Sequence, residues 1–468
     1  MVERLSEIIA SYKEAIIRDT QRLIAFESVY EKSERKDQPF GAAIAAALDC
    51  SLEIAADLGF RTRNVDGYMG EVDFGTDGKK IGIIAHIDVV PAGEGWSYPP
   101  FEGRVVEGKL YGRGASDDKG PLVASLYAMK AIKDSGLPIK NHVRLLIGCD
   151  EESGMRCIQY YLDKEEQPWG GFSPDGEFPV IFGEKGIYRF RCDSTWADTK
   201  VRGRFSLIKI EGGTRANVVP ESATAVLSGN EKLFELAQKE LAQFDHEDRL
   251  ALSRDGDQLV IKVRGQSAHA SMPWQGINAN NLLLNFLRRL PLAPAAVEQY
   301  IYSLADLFAD GYQGTNLGIA CSDEIFGELT LSLGVLQADS QGGSASFDLR
   351  YPNLDQREQL WQKIAAACAS RSLTVTLEQD KPGLYVPQDS PMIQCLLKAY
   401  HKVSGRQDEP ITIGGGTYCR TLNNFVAYGP VFPGQKQVAH ERDEYISIDD
   451  LMLCAEIYTQ ALYSLLQI

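Results

Sequence analysis

Several common signatures are missing from this chain. It has no H-E-x-x-H pair, no Walker loop and no G-x-S-x-G elbow. That excludes the zinc-protease helix, the nucleotide-phosphate loop and the hydrolase serine those motifs encode. Nine cysteines, an odd number, run from Cys50 to Cys454 with none in a C-x-x-C pair. They fit reduced, mostly buried thiols of a cytosolic protein rather than a disulfide framework. The opening Met-Val-Glu-Arg-Leu-Ser-Glu lacks the basic and apolar regions of a signal peptide. No apolar run approaches the length of a membrane span. Positive charge is also in deficit: 48 Lys and Arg against 64 Asp and Glu give a net charge of −16. Such a balance argues against a nucleic-acid or anionic-membrane partner. A cytoplasmic enzyme is the expectation.

What is present is ordinary in bulk. The chain has 468 residues, 44% hydrophobic and 24% charged. That length predicts two domains. Apolar periodicity predicts helices from Ile8 to Leu23 and from Ala42 to Leu58. Apolar runs over Lys80–Ala85 and Val143–Cys149, with a helix over Pro121–Ile132 between them, predict buried and mostly parallel strands. After about Gly186 the pattern changes. Strands are predicted at Tyr188–Arg191, Phe205–Ile210, Ala223–Leu227, Leu259–Val263, Leu329–Leu336, Ala345–Leu349 and Leu373–Leu377. Helical patterns at Glu231–Phe244, Asn278–Leu290 and Gln356–Ala369 lie between them, which suits an α+β domain. The end returns to a helix (Pro391–Val403), a Gly-rich loop, a short strand (Phe425–Tyr428) and a last amphipathic helix (Asp449–Leu466).

Residues able to hold a metal are His86, Asp117, Glu151 and Glu152, Asp175 and His440, and three of their motifs, those of His86, Asp117 and Glu151-Glu152, follow apolar runs. Two imidazoles and three carboxylates can hold two divalent cations side by side. Open α/β sheets gather ligands at the carboxyl ends of their strands, where His86 and Glu151-Glu152 are expected. Asp88 can take the second N–H of the His86 ring. Of Asp117 and Asp118, one is a ligand; the other satisfies backbone amides or pairs with Lys119. Glu151-Glu152 divides likewise into a ligand and a general base. His142, His246 and His401 read as surface residues. His269, in the small-residue loop Gly265–Ser271, is a candidate substrate or oxyanion contact. The Gly414-Gly415-Gly416-Thr417 turn could contact phosphate or substrate.

These motifs, in this order, resemble the co-catalytic dizinc metallo-exopeptidases, a family including aminoacylases, carnosinases and succinyl-diaminopimelate desuccinylases, and most of all its PepV-type dipeptidases. The likeness rests on His86-Ile87-Asp88-Val89-Val90-Pro91, Tyr111-Gly112-Arg113-Gly114, Asp117-Asp118-Lys119-Gly120-Pro121 and Phe172-Ser173-Pro174-Asp175. It continues through Gly265–Ser271, Asp348-Leu349-Arg350-Tyr351-Pro352 and Ile413-Gly414-Gly415-Gly416-Thr417-Tyr418. The resemblance implies an α/β fold: a discontinuous catalytic domain over 1–185 and 383–468, with a mostly parallel sheet flanked by helices, and an inserted α+β lid over 186–382. It makes Asp117 a bridging ligand, gives His86 and Asp175 to one metal, and Glu152 and His440 to the other. Glu151 becomes the general base and Asp88 the residue orienting His86. Asn217, His269, Arg350 and Gly415 fall where the family contacts substrate; His269 matches the residue polarising the scissile carbonyl and Arg350 the carboxylate clamp.

The implied activity is hydrolysis of unblocked dipeptides, including Xaa-His or β-Ala-His types, through a metal-bridging water. The alternatives are an N-acyl-amino-acid deacylase on the same site and, more remotely, a non-catalytic amino-acid-binding scaffold. The implied cofactors are two divalent metal ions per chain, zinc first, with manganese or cobalt as alternatives. The expected partner is a short peptide substrate. A monomer is expected, with a homodimer as the alternative. Two positions depart from the family pattern: Asp443, where relatives often carry Asn, and Asp150, where some carry Asn or Thr.

Overall fold

The computed structural model describes residues 2–197, 201–352 and 354–468. The chain divides into two compact units, Met1–Gly183 with Tyr385–Ile468, and Glu184–Leu384.

The first unit is built on a sheet whose centre is parallel. Its order runs Arg61–Val65, Met69–Phe74, His142–Gly148, Lys80–His86, Gly170–Ser173, Phe425–Ala427, Ile181–Glu184. The four strands from His142–Gly148 to Phe425–Ala427 are mutually parallel. Antiparallel pairs flank them on both sides. The Lys80–His86 strand is buried from Ile81 onward, which is why it reads as a continuous apolar run. The sheet is tight at its middle: a Cβ on Gly82 would lie 2.3 Å from the Phe425 ring. Register then sets the site, because His86 pairs with Gly148 and Ile83 with Phe172. The chain therefore leaves three neighbouring strands at one edge, carrying His86, Glu151-Glu152 and Asp175.

Helices cover this sheet. Lys119–Ser135 is buried over most of its length. The terminal helix Ile448–Leu465 opens with Ser447 accepting the Asp450 N–H at 2.9 Å. The Pro391–Ser404 helix has Ser390 as its cap, Pro at its first position and Gly405 at φ 71° past its end. The predicted helix from Ile8 to Leu23 is two helices, Val2–Ser11 and Lys13–Ile24, broken at Tyr12.

The second unit is an antiparallel sheet. Its order is Leu250–Asp255, Gln258–Arg264, Ser222–Ser228, Phe205–Gly212, Thr330–Asp339, Gly342–Tyr351, Gly186–Thr195, Thr374–Lys381. Burial alternates along Ser222–Ser228 and Gln258–Arg264, the mark of a sheet with one packed face. Phe190, Phe205, Ile261 and Phe347 share one apolar cluster with Leu233, Leu283, Leu304 and Ile364 from the helices. The helix Ala295–Phe308 and the strands Arg61–Val65, Met69–Phe74 and Leu250–Asp255 were not among the expected elements. Among the described residues no helix is long and apolar enough to cross a membrane.

Candidate metal centre

All five expected ligands and the expected base meet in the first unit. His86 ends its strand fully buried. Its Nε2 lies 2.9 Å from Oδ1 of Asp117 and 3.8 Å from Oδ2 of Asp175. His440 approaches the other oxygen of the same carboxylate: its Nε2 is 3.1 Å from Asp117 Oδ2 and 2.9 Å from Glu152 Oε1. Donor atoms of His86, Asp117 and Glu152 lie within 4.8 Å of one another, as do those of His86, Glu151 and Asp175. Asp117 thus faces one imidazole with each oxygen.

The supporting contacts differ in part from expectation. The His86 Nδ1 partner at hydrogen-bond distance is the Asp88 backbone carbonyl, at 2.9 Å. The Asp88 carboxylate is farther, at 3.5 Å. That carboxylate instead accepts the backbone N–H groups of Glu151 and Glu152, at 3.1 and 3.0 Å. Asp88 therefore orients the imidazole with its backbone and the two glutamates with its side chain. Asp118 is fully buried, and its Oδ2 accepts the His86 N–H at 3.2 Å. It satisfies a backbone amide, one of the two expected outcomes. Lys119 does not pair with it; its Nζ donates to the Phe26 carbonyl at 2.7 Å.

Electrostatics show what the cluster requires. Two carboxylates about 4 Å apart repel by ~4 kcal/mol at an effective dielectric near 20, and this site gathers four. Burial, with Asp175 beside it, pushes Glu151 well above the usual range. Burial and Asp117 push Glu152 up, and Asp175 rises to about 7. Burial alone would lower both imidazoles, yet their carboxylate hydrogen bonds win. His86 stands well above its ordinary value, held by Asp117 and Asp88. His440 is raised to about 11 by Asp117 and Glu152. Protons are therefore holding together a donor set that divalent cations would hold better. Imidazole and carboxylate donors suit zinc, manganese or cobalt, so the residues fit a pair of such ions.

A measurable sign follows. Cations need the imidazoles neutral and the carboxylates ionised, so binding near pH 7 must expel the protons held by His86 and His440 and part of that on Asp175. We expect Zn²⁺ titration of the metal-free protein to release on the order of one proton or more per cation, with affinity rising as pH rises. Calorimetry in two buffers of different ionisation enthalpy reads this directly. Proton uptake on binding would contradict the electrostatic picture.

Gly415 lies in the same unit, its carbonyl accepting from Arg420 Nη2 at 2.6 Å. Asn217, His269 and Arg350 belong to the second unit. Val218 pairs with His269, and the Asn217 carbonyl accepts the Ala270 N–H at 3.0 Å, so these two motifs are neighbours. His269 Nδ1 accepts the Ser271 N–H at 3.2 Å, which leaves the ring proton on Nε2. Burial and the Arg350 cation push His269 below its ordinary value, favouring a neutral imidazole. Arg350 is buried, with Nε and Nη2 on the two oxygens of Asp348 at 2.5 and 2.9 Å. Arg189 Nε joins the same carboxylate at 3.0 Å.

Three further residues had no expected role. Tyr418, fully buried, sets its ring 6.3 Å from the His86 ring and its Oη 2.9 Å from Cys157 Sγ. It belongs to a motif that carries the resemblance, and that was its only signal. Asp348 opens another such motif and lies two residues from Arg350 on one face of a strand. Glu444 is the third.

Comparison with known proteins gives the assembly its place. The sequence profile of the peptidase family M20/M25/M40 matches residues 82–464, a span holding every residue of the centre. A Bacillus subtilis (strain 168) protein called "Putative dipeptidase YtjP" is 38% identical over 457 residues, covering 97% of each chain. "Putative dipeptidase SSP1012" of Staphylococcus saprophyticus is 35% identical, covering 98% of each. Among solved structures, human carnosine dipeptidase 1 superposes with a TM-score of 0.58 at 15% identity, covering 100% of this chain and 99% of its own. The dipeptidase Dug1p of Saccharomyces cerevisiae gives 0.59 at 16% identity, covering 99% and 98%. These two share the fold. With the profile spanning most of the sequence and the bacterial relatives nearly all of it, the chain belongs to the peptidase family M20/M25/M40.

Proposed function

We propose that this chain is a metal-dependent dipeptidase acting on unblocked dipeptides, Xaa-His and β-Ala-His types included. The observation that carries the reading is Asp117, whose two oxygens face His86 and His440 at 2.9 and 3.1 Å. A carboxylate so placed suits a bridge between two cations. The bacterial relatives named as dipeptidases, similar over almost their whole length, support the same substrate class.

When bound, two divalent cations supply Lewis-acid polarisation of the scissile carbonyl and acidify a water. His86 and Asp175 would hold one, Glu152 and His440 the other, and Asp117 would serve both. Glu151 takes the proton from the attacking water and returns it to the leaving amine. Asp88 fixes the backbone at Glu151 through its N–H, which sets the point from which the base's side chain reaches. The family resemblance assigns the substrate contacts. His269, with its proton on Nε2, donates to the developing oxyanion. Arg350, splayed flat against Asp348, offers its guanidinium to the substrate carboxylate. Asn217 and Gly415 complete the contacts.

The test is a substrate panel with the Zn²⁺- and Mn²⁺-loaded protein: free dipeptides, tripeptides and N-acetyl amino acids. Dipeptides should lead in kcat/KM. N-acetyl amino acids in the lead would instead make the chain a deacylase. Tripeptides cleaved as fast as dipeptides would remove the dipeptide limit.

A further inference from the structure

The loop that carries Asp117 connects the Lys109–Tyr111 strand to the Lys119–Ser135 helix. It must hold a bridging carboxylate in place, yet its backbone points several N–H groups to one spot. Such a concave run of amides is an anion cradle. Here the anion is a side chain from the far end of the sequence. Oε1 of Glu444 accepts the N–H groups of Gly114, Ser116 and Asp117 at 3.1, 3.0 and 3.2 Å. Its Oε2 accepts from Arg113 Nη1 at 2.6 Å. Glu444 is fully buried, and so is Arg113.

The backbone around Glu444 reinforces the contact. Its carbonyl accepts the Gly112 N–H at 3.0 Å, and Tyr445–Ser447 pairs with Lys109–Tyr111. One residue earlier, the Asp443 carboxylate accepts the Ser97 N–H at 2.6 Å and its hydroxyl at 2.9 Å, tying down the loop that follows His86. His440 lies four residues before Glu444 and contacts Asp117 directly. The segment holding one ligand therefore grips the loop holding another.

We propose that Glu444 is a positioning residue for the metal centre. It fixes the Asp117 backbone, and through it the span between the His86 and His440 imidazoles, so that the cation sites exist before any cation binds. This rests on the reading that Asp117 holds the cations. The alternative is a buried ion pair with Arg113 that serves folding alone. The two differ in a protein that still folds: only positioning makes cation affinity depend on the Oε1 acceptor of the three amides.

Substitutions separate them. Arg113→Met/Glu444→Gln removes the ion pair and keeps an amide oxygen for the three N–H groups. Arg113→Met/Glu444→Ala removes both. Each protein is stripped of metal, checked by circular dichroism and thermal melting, and titrated with Co²⁺, following affinity and the visible absorption of the bound ion. Outer partners of metal ligands are typically worth about 10- to 100-fold in affinity. We expect the Ala double variant to lose that much and to show an altered Co²⁺ spectrum. The Gln double variant should stay within about 3-fold of the unaltered protein with its spectrum. Equal affinities and spectra for the two double variants, both folded, would overturn the proposal. Failure of the unaltered protein to bind Co²⁺ would overturn the metal reading instead.

Discussion

Glu151→Gln should lower kcat for dipeptide hydrolysis by about 10²- to 10⁴-fold, or ~3–5.5 kcal/mol of barrier. The reasoning is chemical before it is positional. Glutamine keeps the volume and can hydrogen-bond to a water, but it cannot accept a proton and hand it on. The backbone bond from residue 151 to Asp88 survives the change, so the loop stays in place. The substitution also removes the carboxyl that burial, Asp175 and Glu152 push up, taking one anion from a crowded group. Metal content should therefore hold, and the loss should fall on kcat with KM little altered, the pattern of an interaction made in the transition state. Near-normal turnover with both metals bound would remove Glu151 from the role of base. Loss of metal together with activity would make it a ligand, in line with its donor atom lying within 4.8 Å of those of His86 and Asp175.

Arg350→Ala should cost about 10- to 100-fold in kcat/KM for free dipeptides and much less for C-terminally amidated ones. Hydrogen bonds between charged partners are worth roughly 1.5–3 kcal/mol, and a planar guanidinium can make two to one carboxylate. The amidated substrate is the internal control. It lacks the anion, so any loss it shares reports disturbance of the unit rather than loss of a clamp. Some disturbance is expected, because Asp348 stays buried and keeps Arg189 Nε at 3.0 Å. Equal loss on both substrates would sink the clamp.

The sequence made the ligand set legible because buried parallel strands read as unbroken apolar runs and their ends mark the edge of a sheet. Ile81–Ala85 is such a run, Val143–Ile147 is interrupted only by Arg144, and both lead directly to site residues. Strands at the sheet margin gave no such signal: Arg61–Val65 exposes four of its five residues. The Ala295–Phe308 helix was available in principle, since Val297, Ile301, Leu304 and Phe308 face the core at helical spacing. The supporting shell was least legible. Asp88 and Glu444 act on backbone amides 63 and about 330 residues away, and an amide leaves no mark in sequence for a carboxylate to match. Asp88 was expected to orient His86 by its side chain, because that pairing is the usual one for a liganded imidazole. The chain met the requirement with a carbonyl and put the carboxylate to another use.

On the proposed mechanism, hydrolysis needs two cations held by one bridging carboxylate. Its most direct test is to titrate the metal-free protein with Zn²⁺, recording bound metal and dipeptide turnover on the same samples. Saturation should come at two ions per chain with activity tracking the doubly loaded form, and both should be lost in Asp117→Ala. Full hydrolysis by the metal-free protein, or binding of two ions by a folded Asp117→Ala protein with unaltered affinity, would contradict it.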